Sequence, residues 1–377
     1  MLPSAGRSEL ITYVSQNAQG DPVVVSGTVS IPRTPAPDGG WPVLSWAHGT
    51  TGVSDICAPS NDTADGPAHD YLGGVDAVLD RYVADGYVVV QTDYVGMGTP
   101  AATPTWTVAR RRTRWSTSSA PAGRSTTRSA ISGTRWGTAR RARHLFTAAQ
   151  GSERAPELDL RGAVAIAPGN ETSATPQYLA SGDPAVAPAL AFLPLILLGA
   201  EAADPSIVAD SYVTPESQVL LTAARTGCVG QIRNVIGSVP VDKAFAPGAD
   251  IDKLVTYLKK QSLGQLTLTV PTLVLQGTAD TLIAEPAAGS GRDVVQQRFR
   301  GRLQDVRGCR SPVRRAAVVR RCRTVLRRLA GGEKRPASAR TARTVPSTGW
   351  VPDEFALGRG DDGVGQSHDT VVVPALG

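Results

Sequence analysis

Four short apolar runs, each ending at a turn that carries Gly, limit this chain more than any other feature. They are WPVLSWA (residues 41–47), YVVVQT (87–92), LRGAVAIA (160–167) and PTLVL (271–275). Runs of this length and composition are what strands look like when helices cover both faces of a sheet. Residues 75–85, between the first two runs, have helical spacing, and Gly86 stands where that helix would close. Strand, helix, strand alternation with Gly turns implies an α/β fold on a doubly wound, mostly parallel sheet. Such sheets gather functional groups just beyond the carboxyl ends of their strands. His48-Gly49-Thr50-Thr51 follows the first run, Asp93 the second and Asp280 the fourth.

Residues 23–31 alternate as a further strand, and 32–40 form a Pro/Gly-rich turn. Residues 171–264 are helical in pattern and Ala/Leu-rich, and they read as a helical cap or lid inserted before the Asp280 strand. Inside the cap, residues 190–198 admit two readings: a helix buried against the sheet, or a lid surface facing lipid. Pro188 and Pro194 interrupt the most apolar stretch, so no transmembrane span is expected. Met1 is followed almost at once by strand-like sequence, not by a signal peptide.

The net charge of +6 invites a nucleic-acid reading, but its distribution argues against one. Residues 104–144 hold ten Arg and no acid, and residues 298–346 hold fifteen Arg, one Lys and two acids. The rest of the chain has 13 basic and 31 acidic residues, a net charge of −18. No binding motif organises the aromatics near the basic segments, so no nucleic-acid partner is expected. Both segments lack apolar periodicity, and both interrupt a regular α/β alternation. The expected division is a core of residues 9–170 and 265–346, the 171–264 cap, and an irregular tail at 347–377. The four cysteines show neither a disulfide framework nor metal spacing. Cys57 and Cys228 are open to two readings, a disulfide in an oxidising compartment or two buried thiols.

The chain resembles the secretory lipase family of α/β hydrolases. The resemblance is carried by SGTVSIPRTPAPDGGWPVLSWAHGTTGVSDICAPS (26–60), DGYVVVQTDYVGMGTP (85–100), LFTAAQ (145–150) and VPTLVLQGTADTLI (270–283). It implies the α/β-hydrolase fold and hydrolysis of carboxylic esters of lipids, such as triacylglycerols, by a Ser nucleophile, a His base and an Asp. It also implies secretion, a lipid or small-ester substrate, transient lipid-interface contact through the cap, and no cofactor or metal. In the chain order Ser, Asp, His, the acid is Asp280. His48-Gly49-Thr50 is similar to loops of the HG type that supply an oxyanion N–H. Gly49 would let the backbone approach the substrate, Thr50 or Thr51 would donate the N–H, and His48 would support the loop.

Two triad members are missing. No G-x-S-x-G pentapeptide exists in the chain, and no histidine occurs between His144 and His368. His69 reads as a loop anchor, and His368 sits in a Gly-rich tail. The genetic code permits an explanation. Reading the third base of each codon with the first two of the next, residues 136–145 can give the elbow string GHSQAGQAS. Its serine straddles Thr138 and Ala139. With the other offset, residues 306–313 can give YEGADHR, whose histidine straddles Ser311 and Pro312. Two frame-shifted segments would therefore leave a nucleophile slot at Thr138/Ala139 and a base slot at Ser311/Pro312 without the Ser and His they need. A chain in this state is expected to be inactive, and its first basic segment to leave the sheet without central elements. The alternative is a non-catalytic binding module on the α/β-hydrolase fold.

Overall fold

A computed structural model describes residues 1–38, 40–99, 132–138, 143–156, 158–166, 172–261, 266–270, 272–276 and 370–372. Its strands are β1 (Ala5–Gln16), β2 (Pro22–Pro32), β3 (Pro42–Ala47), β4 (Val88–Thr92), β5 (Ser132–Thr138), β6 (Asp159–Ile166), β7 (Thr272–Gln276) and β8 (Thr370–Val372). They form one sheet in the order β1-β2-β4-β3-β5-β6-β7-β8. The run from β4 to β7 is parallel throughout. The two borders are antiparallel: β1 on β2 and β2 on β4 at one side, β8 on β7 at the other. The four apolar runs are thus β3, β4, β6 and β7, all in the parallel part.

Helix α1 (His69–Ala84) covers one face of this sheet. Val75, Leu79, Tyr82 and Val83 recur on one helical stripe and meet Leu44, Trp46 and Val89 of the strands. Leu44 and Trp46, two apart on β3, are 0% and 1% exposed. Fully burying each such side chain is worth about 1.5–3 kcal/mol, which is how α1 is held to the sheet. Gly86 ends the helix as the spacing implied. At φ +88° it lets the Tyr87 N–H reach the Tyr82 carbonyl and its own N–H reach that of Val83, each at 3.0 Å.

Two segments depart from expectation. Ser132–Thr138, inside the first basic segment, forms β5 between β3 and β6, so the sheet keeps a strand at its centre. The reason is that ladder hydrogen bonds use backbone amides and do not require an apolar side-chain run. The tail at 347–377 is not wholly irregular either. Thr370–Val372, three β-branched residues, pairs with the open edge of β7.

Residues 172–261 form α3 (Thr175–Ala180), α4 (Leu193–Ala203), α5 (Gln218–Thr226), α6 (Val229–Val235) and α7 (Ile251–Lys259), joined by short 3₁₀ turns. Leu190, Leu193, Leu195, Ile196 and Leu197 are at most 1% exposed and pack with Leu220, Leu221, Ile232 and Leu254. The 190–198 stretch is therefore buried rather than on a lid surface, and among the described residues it packs against other cap residues. The cap has its own hydrophobic core, and this stretch is at its centre. Among the described residues, no single helix is long and apolar enough to cross a membrane.

Candidate active site

Ala47, the last residue of β3, pairs with Gly137 of β5. The carboxyl ends of β3 and β5 therefore lie side by side, and the loop that begins at His48 leaves the sheet there. The helix α2 (Arg143–Arg154) follows β5 in the chain, with four residues between them. β7 runs parallel to β6 and ends at the same edge, at Gln276. Asp280 beyond it lies outside the described residues, as do Ala139, Ser311 and Pro312. Thr138 is the last residue of β5.

The loop after β3 is held by two tyrosines. His48 is fully buried, and its ring stacks on Tyr94 with centroids 4.3 Å apart and 26° between planes. The Tyr94 hydroxyl donates to the His48 carbonyl at 2.9 Å. His48 Nδ1 lies 2.6 Å from the Gly49 carbonyl, an acceptor, so Nδ1 carries the proton. The His48 ring is thereby bonded to the backbone of the next residue in the loop. The Gly49 N–H donates to the Tyr71 hydroxyl at 2.7 Å. A Cβ on Gly49 would stand 2.5 Å from that oxygen. The missing side chain at Gly49 thus makes room for Tyr71, a reason other than the expected approach of substrate. With the Gly49 N–H occupied, those of Thr50 and Thr51 make no hydrogen bond among the described residues.

From the other side the cap grips the same loop. The Thr51 carbonyl accepts from the Val229 N–H at 2.8 Å, and Gly52 forms an antiparallel bridge with Cys228. Cys57 and Cys228 are joined by a disulfide, with Cα atoms 5.6 Å apart. Of the two readings of these cysteines, the structure takes the bonded one.

The turn after β4 completes the support. Tyr94, at φ +69°, is the one non-Gly residue with positive φ among the described residues. That conformation costs a non-Gly residue on the order of 1–3 kcal/mol. The stacking and the hydrogen bond to His48 hold it there. Asp93, fully buried, accepts from the Ser60 N–H at 2.9 Å and the Ser60 hydroxyl at 2.5 Å. It anchors the connection between β3 and α1. His69, at the start of α1, holds Asp62 through Nδ1 at 2.8 Å, and this bond raises its pKa above the ordinary imidazole value. It is a loop anchor.

Tyr71 and Tyr94 were not singled out from sequence. Tyr94 had a signal in its place within the Gly-rich turn after β4, whereas Tyr71 had none. Among the described residues, no group of His, Cys, Asp or Glu is arranged to hold a metal ion.

A model of the family described as secretory lipase matches residues 74–290. Among solved structures, the rice cell wall degrading esterase LipA from Xanthomonas oryzae aligns with a TM-score of 0.61 at 17% identity, covering 87% of this chain and 91% of that one. Lipase A from Candida antarctica aligns with a TM-score of 0.57 at 17% identity, covering 77% of this chain and 70% of its own. At such identities the likeness establishes the fold, that of the α/β hydrolases. A sequence comparison with curated proteins finds no match.

Proposed function

The chain belongs to the secretory lipase family, and on that premise we propose that it derives from an extracellular lipase acting on lipid esters such as triacylglycerols through a Ser-His-Asp triad. Family and fold make it an ester hydrolase of the lipase/esterase type. The observation that carries the finer reading is the adjacency of the carboxyl ends of β3 and β5. The loop His48–Thr51 follows β3, and the chain segment that would carry the nucleophile follows β5, the strand paired with it. An acyl-transfer site needs that pairing: a nucleophile on a strand-to-helix turn, and an N–H from the loop after β3 beside it.

In this reading a serine at the Thr138/Ala139 slot attacks the ester carbonyl. A histidine at the Ser311/Pro312 slot takes the serine proton and returns it to the leaving alcohol. Asp280 accepts from that histidine's other ring nitrogen and fixes its tautomer. The tetrahedral oxyanion is met by the N–H of Thr50 or Thr51 and by that of the residue after the nucleophile. The buried Cys57–Cys228 disulfide suits an oxidising, extracellular compartment. Contact with a lipid interface through the cap would fall to exposed side chains such as Tyr178, Val208 and Val219, since the 190–198 stretch is buried.

The present chain lacks the serine and the histidine, so it is inactive in this reading. Shifted frames restore GHSQA, with Ala in the last place of the elbow pattern, and the histidine of YEGADHR. A fluorophosphonate probe tests the nucleophile. It should label the frame-restored chain at the serine between His and Gln, and leave the present chain unlabelled. Labelling at another residue, or none in the restored chain, would refute the assignment. The missing elbow also favours the second reading, a non-catalytic module. That reading predicts that the gene carries no compensating insertions or deletions around the two segments.

A further inference from the structure

A cavity lies between the β1–β2 hairpin and the start of α1. Its volume is about 270 Å³. Three carboxylates line it, Glu9, Asp62 and Asp76, and among the described residues no Lys or Arg does. Two of the three have partners: Glu9 pairs with Arg7, and Asp62 with His69. Asp76 makes no hydrogen bond or ion pair among the described residues. Burial pushes its carboxyl pKa up, partly offset by the Met1 ammonium, whose residue stands on the rim. On the same wall is Gln91, only 8% exposed, whose side-chain amide has no hydrogen-bond partner among the described residues. Its amide faces the cavity and offers a ligand there one acceptor oxygen and two N–H donors. Leu79 and Val89, 1% and 2% exposed, supply an apolar wall beside these two groups.

We propose that this cavity is a binding site for a small organic ammonium ion, with Asp76 and the Gln91 carbonyl receiving the charged head and Leu79 and Val89 the aliphatic part. An ammonium has three donors and no acceptor, matching one free carboxylate and one amide oxygen. A bare metal ion is disfavoured, because among the described residues no acidic cluster is arranged to coordinate one. The site is independent of the ester-hydrolase reading and does not need the triad.

Calorimetric titration of the full chain with n-butylammonium chloride tests it, with n-butanol and calcium chloride at matched ionic strength as controls. One saturable site for n-butylammonium is expected, with no saturable heat from n-butanol. Asp76→Asn and Gln91→Leu should each weaken binding about tenfold or more while circular dichroism stays unchanged. Absence of saturable binding to the unmodified chain, equal binding of n-butanol, or tighter binding of calcium would overturn the proposal. Unchanged affinity in a folded variant would do the same. Should Asp76→Asn fail to fold, Gln91→Leu and the unmodified chain still decide it.

Discussion

The Tyr71 hydroxyl accepts the Gly49 N–H at 2.7 Å and fills the space a Gly49 side chain would need. One bond thus ties the first turns of α1 to the loop beyond β3 and occupies the Gly49 amide of that loop. The next two amides, of Thr50 and Thr51, make no hydrogen bond among the described residues, as the proposed oxyanion role requires. Tyr71→Phe keeps the ring and removes the acceptor, leaving a buried donor unmet at a cost of about 1–3 kcal/mol. Gly49→Ala forces a Cβ against the hydroxyl, an overpacking cost of about 1–3 kcal/mol. The two sites touch, so the double variant should fall short of the sum. Urea unfolding of the four proteins checks this, and additivity would show that the bond does not couple them.

The Cys57–Cys228 disulfide joins the β3–α1 connection to the cap across 171 residues of sequence. Cys57→Ser with Cys228→Ser should destabilise the chain by about 2–5 kcal/mol. Because Val229 is bonded to Thr51 beside the bridge, its amide should also exchange faster in hydrogen–deuterium measurements. Unchanged Tm and unchanged Val229 exchange would show that the cap is held by its other contacts alone.

His69 titrates in an accessible range. Its bond to Asp62 raises its folded pKa above the unfolded value of 6.5. A raised pKa means that the folded state binds the proton more tightly. The resulting stability is present below the unfolded pKa and is lost as pH rises through the folded one. His69 is well exposed, so the effect is small. Stability should decline as pH rises past 6.5 and through the raised folded pKa, and Asp62→Asn should flatten that decline. A decline that survives in Asp62→Asn would assign it to another group.

Asp93 and Asp280 both follow parallel strands, and they should separate by kind of effect. Asp93 carries two hydrogen bonds from Ser60, so Asp93→Ala should cost a few kcal/mol of stability, about 1.5–3 for each bond to a charged group. In a frame-restored chain, Asp280→Asn should lower kcat about 10⁴-fold with little change in KM, as for a triad acid. Asp93→Asn should leave kcat within about tenfold of the parent. If Asp280→Asn keeps more than a tenth of the parent kcat, Asp280 is not the acid.

The parallel part of the sheet was largely legible, because strands buried on both faces leave continuous apolar runs, as 41–47 and 87–92 do. β5 was not, since its place between β3 and β6 is set by backbone pairing and SGTRWGT has no apolar run. β8 was missed for a like reason: three residues at an edge are too few to show a period. In the candidate site, the loop at His48–Thr51 was visible from its turn residues and its strand. Its tyrosine clamps were not, because Tyr71 and Tyr94 reach it from 22 and 46 residues away, once α1 and β4 have packed on β3.

The most direct measurement is hydrolysis of a short-chain p-nitrophenyl ester by two purified proteins. One is the present chain. The other is the chain with both reading frames restored, so that a serine stands at the Thr138/Ala139 slot and a histidine at the Ser311/Pro312 slot. The present chain should show at most the residual rate left by binding and oxyanion donors. The restored chain should exceed it by about 10³-fold or more in kcat. A restored chain no faster than the present one, or a present chain already turning over at the restored rate, would contradict a Ser-His-Asp hydrolase built around Asp280.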